Sequence, residues 1–243
     1  MKVIITMAGE GTRFQRIGLK VPKYKIIARD KTLFEWSIDS LKDFFDEKFI
    51  FITNDKIDIK FLNNVIIKLG IRDFEIIRLS QLTSGQAETA MYADDFIDLN
   101  ESFFIYNIDT AVTPGVLNRE MIDEDVSGFI PVMKETGNKW SYVKLNPKGA
   151  VIGLAEKKQI SDLATIGFYY FSRWGDFKDI YLKHKGHIIK QFREVYVAPM
   201  YNYLISEKRE VKVKLIKRNN VNILGTPEEV ASFDPDYLTK NCK

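Results

Sequence analysis

The stretch KVIITMAGEGTRFQRIGLKVPKYKI, residues 2–26, decides the fold predicted for this chain. A strand-like run is followed at once by Gly9 and Gly11, which allow a tight turn and let backbone N–H groups approach a ligand. Arg13 and Lys23 add full positive charges, and a proline stiffens the chain just before Lys23. Exposed N–H groups beside two cations suit an anion, so we predict a phosphate-binding loop after the first strand.

The composition predicts a globular protein that does not insert into a membrane, although peripheral association stays open, and that does not bind nucleic acid. The chain has 243 residues, 45% of them hydrophobic, which is enough for a sizeable core. Its 36 basic and 33 acidic residues are interspersed and leave a net charge of +3, so we expect no nucleic-acid partner. No apolar run approaches the roughly 20 residues that cross a bilayer, and there is no signal-peptide layout, so we expect no membrane insertion. The single cysteine, Cys242, cannot form an internal disulfide, which favours a cytoplasmic location.

Short apolar runs alternate with helical patterns through the first 125 residues. The runs are rich in β-branched and aromatic residues and read KVIIT, FIFIT, FEIIRL and FFIYN. This alternation predicts a parallel sheet, and the continuous apolarity of the runs predicts helices on both of its faces. Polar groups, Thr-Asn-Asp at 53–55 and Asn107 with Asp109, stand at the ends of two of the runs, where α/β sheets bind ligands.

The pattern changes after about residue 125, where strand pairs replace the alternation. Residues 146–149, Asn-Pro-Lys-Gly, predict a hairpin turn between two of these strands. No repeat or flexible linker separates the two parts of the chain. We therefore predict a single domain, residues 1–243, with halves 1–125 and 126–243 and a site in the groove between them.

The C-terminal region predicts two helices, a strand and a last helix. The two helical patterns cover residues 174–185 and 194–207, and the strand pattern covers 211–216. The last helix begins at Thr226, with threonine as the N-cap and Glu229 as the capping-box partner.

Two common nucleotide-binding motifs do not fit the opening loop. The dinucleotide fingerprint fails because position 14 is Phe, and the P-loop fails because no Gly-Lys-Ser/Thr follows at the required distance. The failed match to the P-loop argues against a kinase or an ATPase. A tight turn with solvated lysines would give a similar sequence, so the loop by itself leaves a purely structural role open.

The loop resembles the opening of the nucleotidyltransferases that make nucleotide sugars, the nucleotide-sugar pyrophosphorylases. That family opens with Gly-x-Gly-Thr-Arg and continues to a Pro-Lys pair, which here are Gly9, Gly11, Thr12, Arg13, Pro22 and Lys23. The stretch PKYKIIARDKTLFEWSIDSL, residues 22–41, continues the resemblance without a gap. It implies an α/β, Rossmann-like fold with a mixed, mainly parallel central sheet, helices on both faces and a small acceptor-side β subdomain.

The resemblance implies roles for residues of the first half, which would bind the nucleotide. Arg13 and Lys23 would be catalytic cations, and the nucleotide would be bound by Ala8, Gly9, Gly11, Thr12, Gln81, Gly85 and Gln86. Either Gln81 or Gln86 would read the base edge beside Gly85. Asp109, at the end of the run FFIYN, matches the aspartate with which the family holds Mg²⁺.

The second half would bind the acceptor. The segment VIGLAEKKQISDLATIGFYYFS resembles the acceptor-side pattern, which implies that Glu156 meets the acceptor and Lys157 its phosphate, with Thr165 and Gly167 beside them. Residues 193–205 depart from the family, and there Glu194 and Asn202 are candidate acceptor contacts. Without the resemblance, residues 156–158 would be a solvated charge run, and Tyr201 and Leu204 would be the core face of a helix.

The metal site departs from the family at one position. The family has an aspartate two residues before a Gly-Thr pair, where this chain has Ile223, and the neighbouring Asn222 could supply an amide oxygen but no charge. We expect Mg²⁺ to be held by Asp109, either with Asn222 as a weak second ligand or with the triphosphate and water in its place.

The sequence therefore predicts a Mg-dependent nucleotidyltransferase that joins a nucleoside triphosphate, CTP or dTTP by preference, to a phosphorylated small molecule and releases pyrophosphate. The acceptor would be a sugar 1-phosphate, phosphocholine or a phosphorylated amino-acid derivative, and the product would serve cell-surface polysaccharide synthesis. A glycosyltransferase of related fold and a non-catalytic nucleotide-sugar sensor are the alternatives. The resemblance leaves homo-oligomer formation open.

Overall fold

The computed structural model describes residues 1–123 and 125–241, so Cys242 lies outside the described residues. Strands β1 to β7 are Lys2–Met7, Ile27–Ala28, Lys31–Thr32, Lys48–Asn54, Phe74–Leu79, Phe103–Asn107 and Thr110–Val112. Helices α1 to α4 are Thr12–Gln15, Leu33–Asp39, Ile59–Leu69 and Gln86–Met91. Strands and helices thus alternate through this half, as the sequence predicts.

The second half is richer in strands. Strands β8 to β14 are Gly128–Lys134, Ser141–Leu145, Val151–Glu156, Leu163–Thr165, Phe168–Phe171, Val211–Leu215 and Val221–Ile223. Helices α5 to α8 are Trp174–Phe192, Tyr201–Ser206, Pro227–Phe233 and Tyr237–Asn241. No helix in the described part of the chain has both the length and the apolarity required to span a bilayer.

One mixed sheet joins strands from both halves. Its order is β10-β9-β11-β8-β12-β6-β1-β4-β5, with β13 beside β8. Strands β6, β1, β4 and β5 run parallel, and β12 adds antiparallel to β6 and leads into the second half. Strand β1 therefore lies where the chain order reverses, and ligands of α/β proteins bind beyond the carboxyl ends of the strands at such a point.

The sheet separates two apolar clusters, which explains the continuous apolarity of β1. Val3 and Ile5 pack on the face covered by α2 and α3, whereas Ile4 packs on the face covered by α4 and α5. All three side chains are fully buried. Helices therefore cover both faces, which confirms the α/β class predicted from the sequence.

Two local predictions have clear outcomes. The turn at 146–149 is a hairpin turn between β9 and β10, in which Gly149 has a φ of +82° and the Asn146 side chain accepts hydrogen bonds from the turn backbone. Thr226 caps α7 by accepting from the backbone N–H of Glu229 at 3.2 Å. The reciprocal half of the capping box is not made by Glu229 within the described residues, because its carboxylate turns to Lys139 instead.

Candidate active site

A cavity of about 1090 Å³ opens where β1, β4 and β6 end. Pockets for one small molecule are typically about 300–1,000 Å³, so this one has room for two substrates side by side. Fourteen predicted site residues line it, namely Ala8, Gly9, Gly11, Thr12, Arg13, Lys23, Gly85, Gln86, Asp109, Glu156, Lys157, Thr165, Gly167 and Glu194. Residues that are distant in sequence and that were singled out separately therefore share one cavity.

The loop after β1 forms one wall of the cavity. Gly11 adopts a left-handed φ of +63°, and a Cβ on it would lie 3.3 Å from the Cβ of Lys23. The Asn54 amide, at the end of β4, donates to the backbone oxygens of Ala8 and Gly9, both at 3.2 Å. These two hydrogen bonds fix the loop to the end of β4.

Lys23 opens a short 3₁₀ turn directly after Pro22, which has an extended ψ of 142°. Its ammonium lies 3.9 Å from Oδ2 of Asp109 and 6.0 Å from the centre of the Phe14 ring. The pKa of Lys23 lies below its usual value, mainly because the side chain is buried. The carboxylate of Asp109 opposes this shift, and the positive charge of Arg13 adds to it. An ammonium held in a half-buried place beside a second cation is suited to bind a polyphosphate.

The segment around Gly85 is fixed to the backbone of Val195. Ala87 N–H donates to the Val195 oxygen at 2.9 Å, and Val195 N–H donates to the Ser84 oxygen at 2.8 Å. A Cβ on Gly85 would lie 2.5 Å from the Val195 nitrogen, and Gly85 has a φ of +147°, so this position requires glycine. The close approach leaves the Gly85 backbone on the cavity wall.

The two candidate glutamines differ in position. Gln86 begins α4, and its amide donates to Oδ1 of Asn107 at 2.5 Å and to Oγ1 of Thr6 at 3.1 Å. Its N–H groups thus tie α4 to the ends of β1 and β6. Gln81 is exposed and does not line the cavity.

Asp109 follows β6 in the turn to β7. Its backbone oxygen accepts from Leu224 N–H at 2.7 Å, which brings the segment after β14 against it. Within the described residues no hydrogen bond reaches the Asp109 carboxylate, which is 39% exposed. Oxygen lone pairs that are free and face a cavity suit a hard cation.

Glu156 and its neighbours form the acceptor-side wall. The Glu156 carboxylate is buried and accepts a hydrogen bond from the Ser141 hydroxyl. Burial raises the pKa of Glu156, although Ser141 and Lys157 counteract this, and the charge of Glu194 adds to it. A carboxyl group in this place can accept or donate a hydrogen bond, depending on its protonation.

Thr165 contacts Tyr169, and Gly167 lies against Asn107. The hydroxyls of Thr165 and Tyr169 are hydrogen-bonded at 2.9 Å, and burial raises the pKa of Tyr169 to about 12. Gly167 has a φ of +83°, and a Cβ on it would lie 2.6 Å from the Asn107 side chain. Glycine at 167 therefore lets β12 approach the end of β6.

Lys157 is held by Tyr196. Its backbone has a left-handed φ of +52°, a strained conformation for lysine, and its ammonium hydrogen-bonds the Tyr196 hydroxyl. The ammonium also lies 4.5 Å from the centre of the Tyr196 ring. Although burial lowers the pKa of Lys157, the bond to Tyr196 and the nearby carboxylates raise it above its usual value. Lys157 is therefore fixed and charged at the cavity wall.

The structure does not bring two other predicted residues to the cavity. The Asn202 side chain accepts from Leu154 N–H at 2.8 Å and donates to the Leu154 oxygen at 2.9 Å, so both its polar atoms are used on β10. Asn222 lies in β14, paired with Ala111, and does not line the cavity, whereas Ile223 does. Both were chosen by position in the chain, which does not tell the direction of a side chain.

Among the charged cavity residues that sequence reasoning missed, Lys139 and Glu229 lie beside each other. They form an ion pair of 2.6 Å, and both line the cavity near Asp109. Glu229 was assigned only to the cap of α7. The signal that could have found it was the absent carboxylate at position 223, which calls for another acid nearby.

Comparison with solved structures gives three informative similarities. A nucleoside-diphosphate-sugar pyrophosphorylase from Vibrio cholerae RC9 is 33% identical, with 95% of this chain and 98% of that chain covered and a TM-score of 0.86. The inositol-1-phosphate CTP transferase from T. maritima is 16% identical over 100% and 96%, with a TM-score of 0.75. A UDP-glucose pyrophosphorylase bound to UDP-glucose is 18% identical over 98% of each chain, with a TM-score of 0.72. The last two share the fold, whereas the first is also similar in sequence.

A scan against protein-family models finds no match, and a search of curated proteins finds none either.

Proposed function

The chain belongs to the nucleoside-diphosphate-sugar pyrophosphorylases, a family of nucleotidyltransferases, and on that premise we propose that it joins a nucleoside triphosphate to a phosphorylated small molecule and releases pyrophosphate. The observation that carries the proposal is the shared cavity, which is lined by Lys23 and Asp109 from the first half of the chain and by Glu156 and Lys157 from the second half. Residues 1–125 would bind the nucleotide and residues 126–243 the acceptor.

The reaction is an in-line attack. A phosphate oxygen of the acceptor forms a bond to the α-phosphorus of the triphosphate, and the bond from that phosphorus to the bridging oxygen breaks, so pyrophosphate leaves. The nucleophile is already an anion, so no general base is needed. Catalysis then consists of positioning and charge stabilisation, for which the loop amides, Arg13 and Lys23 are placed.

The acceptor-side residues hold the nucleophile. The Lys157 ammonium, fixed by Tyr196, would bind the acceptor phosphate and aim its oxygen at the α-phosphorus. Glu156 would accept hydrogen bonds from the rest of the acceptor, since its carboxylate oxygens have lone pairs beyond the one that Ser141 uses. The backbone of Gly85 would meet the base beside the loop that binds the phosphates.

Mg²⁺ fits the donor set of this cavity. Asp109 offers a carboxylate without a hydrogen-bonded partner in the described residues, and Mg²⁺ is commonly held by one or two carboxylates together with substrate phosphates. When bound, it would supply charge neutralisation for the transferred phosphate and the leaving pyrophosphate.

The finer parts of the proposal concern substrates and setting. CTP or dTTP is the preferred triphosphate, and the acceptor is a sugar 1-phosphate, phosphocholine or a phosphorylated amino-acid derivative. The similarity to a nucleotide-sugar pyrophosphorylase and the fold shared with an inositol-1-phosphate CTP transferase support this range. We place the reaction in the cytoplasm, in the supply of precursors for cell-surface polysaccharides.

A pyrophosphate-release assay tests the proposal. CTP, UTP, dTTP, ATP and GTP are each combined with Mg²⁺ and a panel of sugar 1-phosphates, phosphocholine and phosphorylated amino-acid derivatives. We expect release that requires one triphosphate and one acceptor together, and reactions without acceptor are the control. Release of a nucleoside diphosphate from a nucleotide sugar would instead identify a glycosyltransferase. Tight nucleotide binding without any turnover would favour the sensor.

A further inference from the structure

Strand β14 turns the expected second metal ligand away from the cavity. Neighbouring side chains of a strand point to opposite faces, and Ile223 faces the cavity, so Asn222 faces away from it. Asn222 is paired with Ala111 and Ile223 with Thr110, next to Asp109. The sec-butyl side chain of Ile223 therefore stands where a second oxygen ligand would be needed.

Glu229 reaches the same place from the other side of Gly225. A Cβ built on Gly225 would lie 3.1 Å from Oδ2 of Asp109 and 3.2 Å from Oε2 of Glu229. Two carboxylate oxygens thus converge on one space, which glycine leaves open and any other side chain would fill. Lys139 binds the other oxygen of Glu229, Oε1, at 2.6 Å, so Oε2 is left toward Asp109.

The charges at this place call for a cation. The Glu229 side chain is only 18% exposed, and it repels the nearby carboxylate of Asp109. Lys139 offsets part of this repulsion at Oε1 of Glu229, whereas a cation between Oδ2 of Asp109 and Oε2 of Glu229 would offset it directly. The nearest ammonium to Asp109 is that of Lys23, at 3.9 Å, which is too long for a hydrogen bond. Glu229 also leaves its side of the capping box unmade, although its position in the first turn of α7 would allow it.

We propose that Asp109 and Glu229 together hold the divalent cation, and that Glu229 takes the part for which Asn222 was the candidate. The inference rests on the proposed function, because substrate phosphates and water would complete the coordination of the ion. The second ligand would then come from α7, which follows Gly225 and Thr226, and not from β14, which precedes them.

Binding of Mn²⁺ to the full-length protein tests the proposal without any turnover. The free ion is measured by electron paramagnetic resonance, with Mn²⁺ alone and with Mn²⁺ plus pyrophosphate. We expect Asp109→Asn and Glu229→Gln each to weaken Mn²⁺ binding by about tenfold or more, since losing a supporting group of a metal site has an effect of this size. Asn222→Ala should bind Mn²⁺ as the unaltered protein does.

The variant Lys139→Ala distinguishes two roles for Glu229, that of a metal ligand and that of an ion-pair partner of Lys139. If Glu229 serves only to hold Lys139, then Lys139→Ala and Glu229→Gln weaken Mn²⁺ binding equally, and the proposal is overturned. If Glu229 is a ligand, removing the nearby positive charge of Lys139 leaves Mn²⁺ binding as strong or stronger.

Two further variants test the geometry. Gly225→Ala keeps both carboxylates but places a methyl group between them, so we expect weaker Mn²⁺ binding in a folded protein. Ile223→Asp, added to Glu229→Gln, should restore Mn²⁺ binding, because it puts a carboxylate beside Asp109. Loss of binding in Asn222→Ala but not in Glu229→Gln, or no Mn²⁺ binding by the unaltered protein under either condition, would overturn the assignment. Pyrophosphate release, measured separately, decides the proposed function.

Discussion

Single residues set the electrostatics of the cavity, and Lys23 is the clearest case. Its side chain is 20% exposed, and within the described residues the one carboxylate within 4.0 Å of its ammonium is that of Asp109, at 3.9 Å. A charge that is poorly solvated and loosely paired interacts strongly with an anion that enters the site. The proposed role of Lys23, stabilising the charge that develops on the phosphates, follows from this environment.

Lys23→Ala should lower kcat by about 10²-fold or more, because it removes a cation that stabilises mainly the transition state. Steady-state pyrophosphate release measures the effect, and the melting temperature checks the fold. Lys25→Ala is the matched control, since the Lys25 ammonium is paired with Asp58 at 2.6 Å and does not line the cavity. An unchanged kcat in Lys23→Ala would refute the assigned role.

Glu156→Gln should stabilise the protein at neutral pH. Burial raises the pKa of Glu156 in the folded protein, so the folded state binds this proton more tightly than the unfolded chain does. The ionised carboxylate therefore destabilises the fold as the pH rises above the usual glutamate pKa of 4.5, and this penalty is absent at lower pH. The gain in melting temperature should be present at pH 7 and vanish below about pH 4.

Glu194→Gln is the control for that series, because Glu194 is an exposed carboxylate on the same cavity. Because the charge of Glu194 contributes only the smallest part to the raised pKa of Glu156, its removal should raise the melting temperature at pH 7 far less than Glu156→Gln does. A gain in Glu156→Gln that does not depend on pH would show that burial of the charge is not its cause.

Elements with strong local signals could be predicted from the sequence. The hairpin at 146–149 and the start of α7 were right because Asn, Gly, Thr and Pro fix the backbone locally. The strand expected at 211–216 is observed as β13, Val211–Leu215. The helix expected at 174–185 continues to Phe192 as α5.

Elements set by distant contacts could not be predicted in this way. The helix expected at 194–207 is wrong for residues 194–197, which are not helical because Val195 makes backbone hydrogen bonds to Ser84 and Ala87 instead. The same limit applies to the site. Fourteen predicted residues share the cavity, but the directions of Asn202 and Asn222 and the approach of Glu229 to Asp109 depend on packing between distant segments.

Gly85→Ala should destabilise the protein by about 2–5 kcal/mol, because it adds backbone strain to an overpacked contact. The new methyl group would meet the backbone of Val195, which cannot move without breaking its hydrogen bonds to residues 84 and 87. Urea unfolding measures the change. Gly149→Ala is the matched control, since it has a positive φ but nothing near its Cβ, and should lose only about 1 kcal/mol. Equal losses of stability in the two variants would mean that backbone strain alone, and not the contact with Val195, accounts for the effect at Gly85.

At the scale of the whole molecule, the halves that are proposed to bind different substrates meet inside one sheet. Strand β12 of the second half pairs with β6 of the first in a register from Phe168–Tyr106 to Phe171–Phe103. Aromatic rings stack across this junction, with centroids 4.2 Å apart for Phe104 and Phe168 and 5.5 Å apart for Phe103 and Phe171. The cavity therefore has walls from both halves that are joined by a continuous hydrogen-bonded sheet, which keeps the two proposed subsites in a fixed relation.

A fragment of residues 1–125 should not fold by itself, because removal of β12 exposes both an unpaired edge of β6 and the rings of Phe103 and Phe104, which Phe171 and Phe168 cover in the full chain. We expect no cooperative thermal transition by near-ultraviolet circular dichroism and association of the fragment in size-exclusion chromatography. The full chain is the positive control and should melt in one transition. Cooperative unfolding of a monomeric fragment would instead show that the first half is an independent domain, and the single-domain proposal for residues 1–243 would then be wrong. The fragment's affinity for a nucleoside triphosphate would in that case measure how much of the binding energy the first half supplies, since it retains the Gly9–Arg13 loop, Lys23 and Asp109 but lacks Glu229.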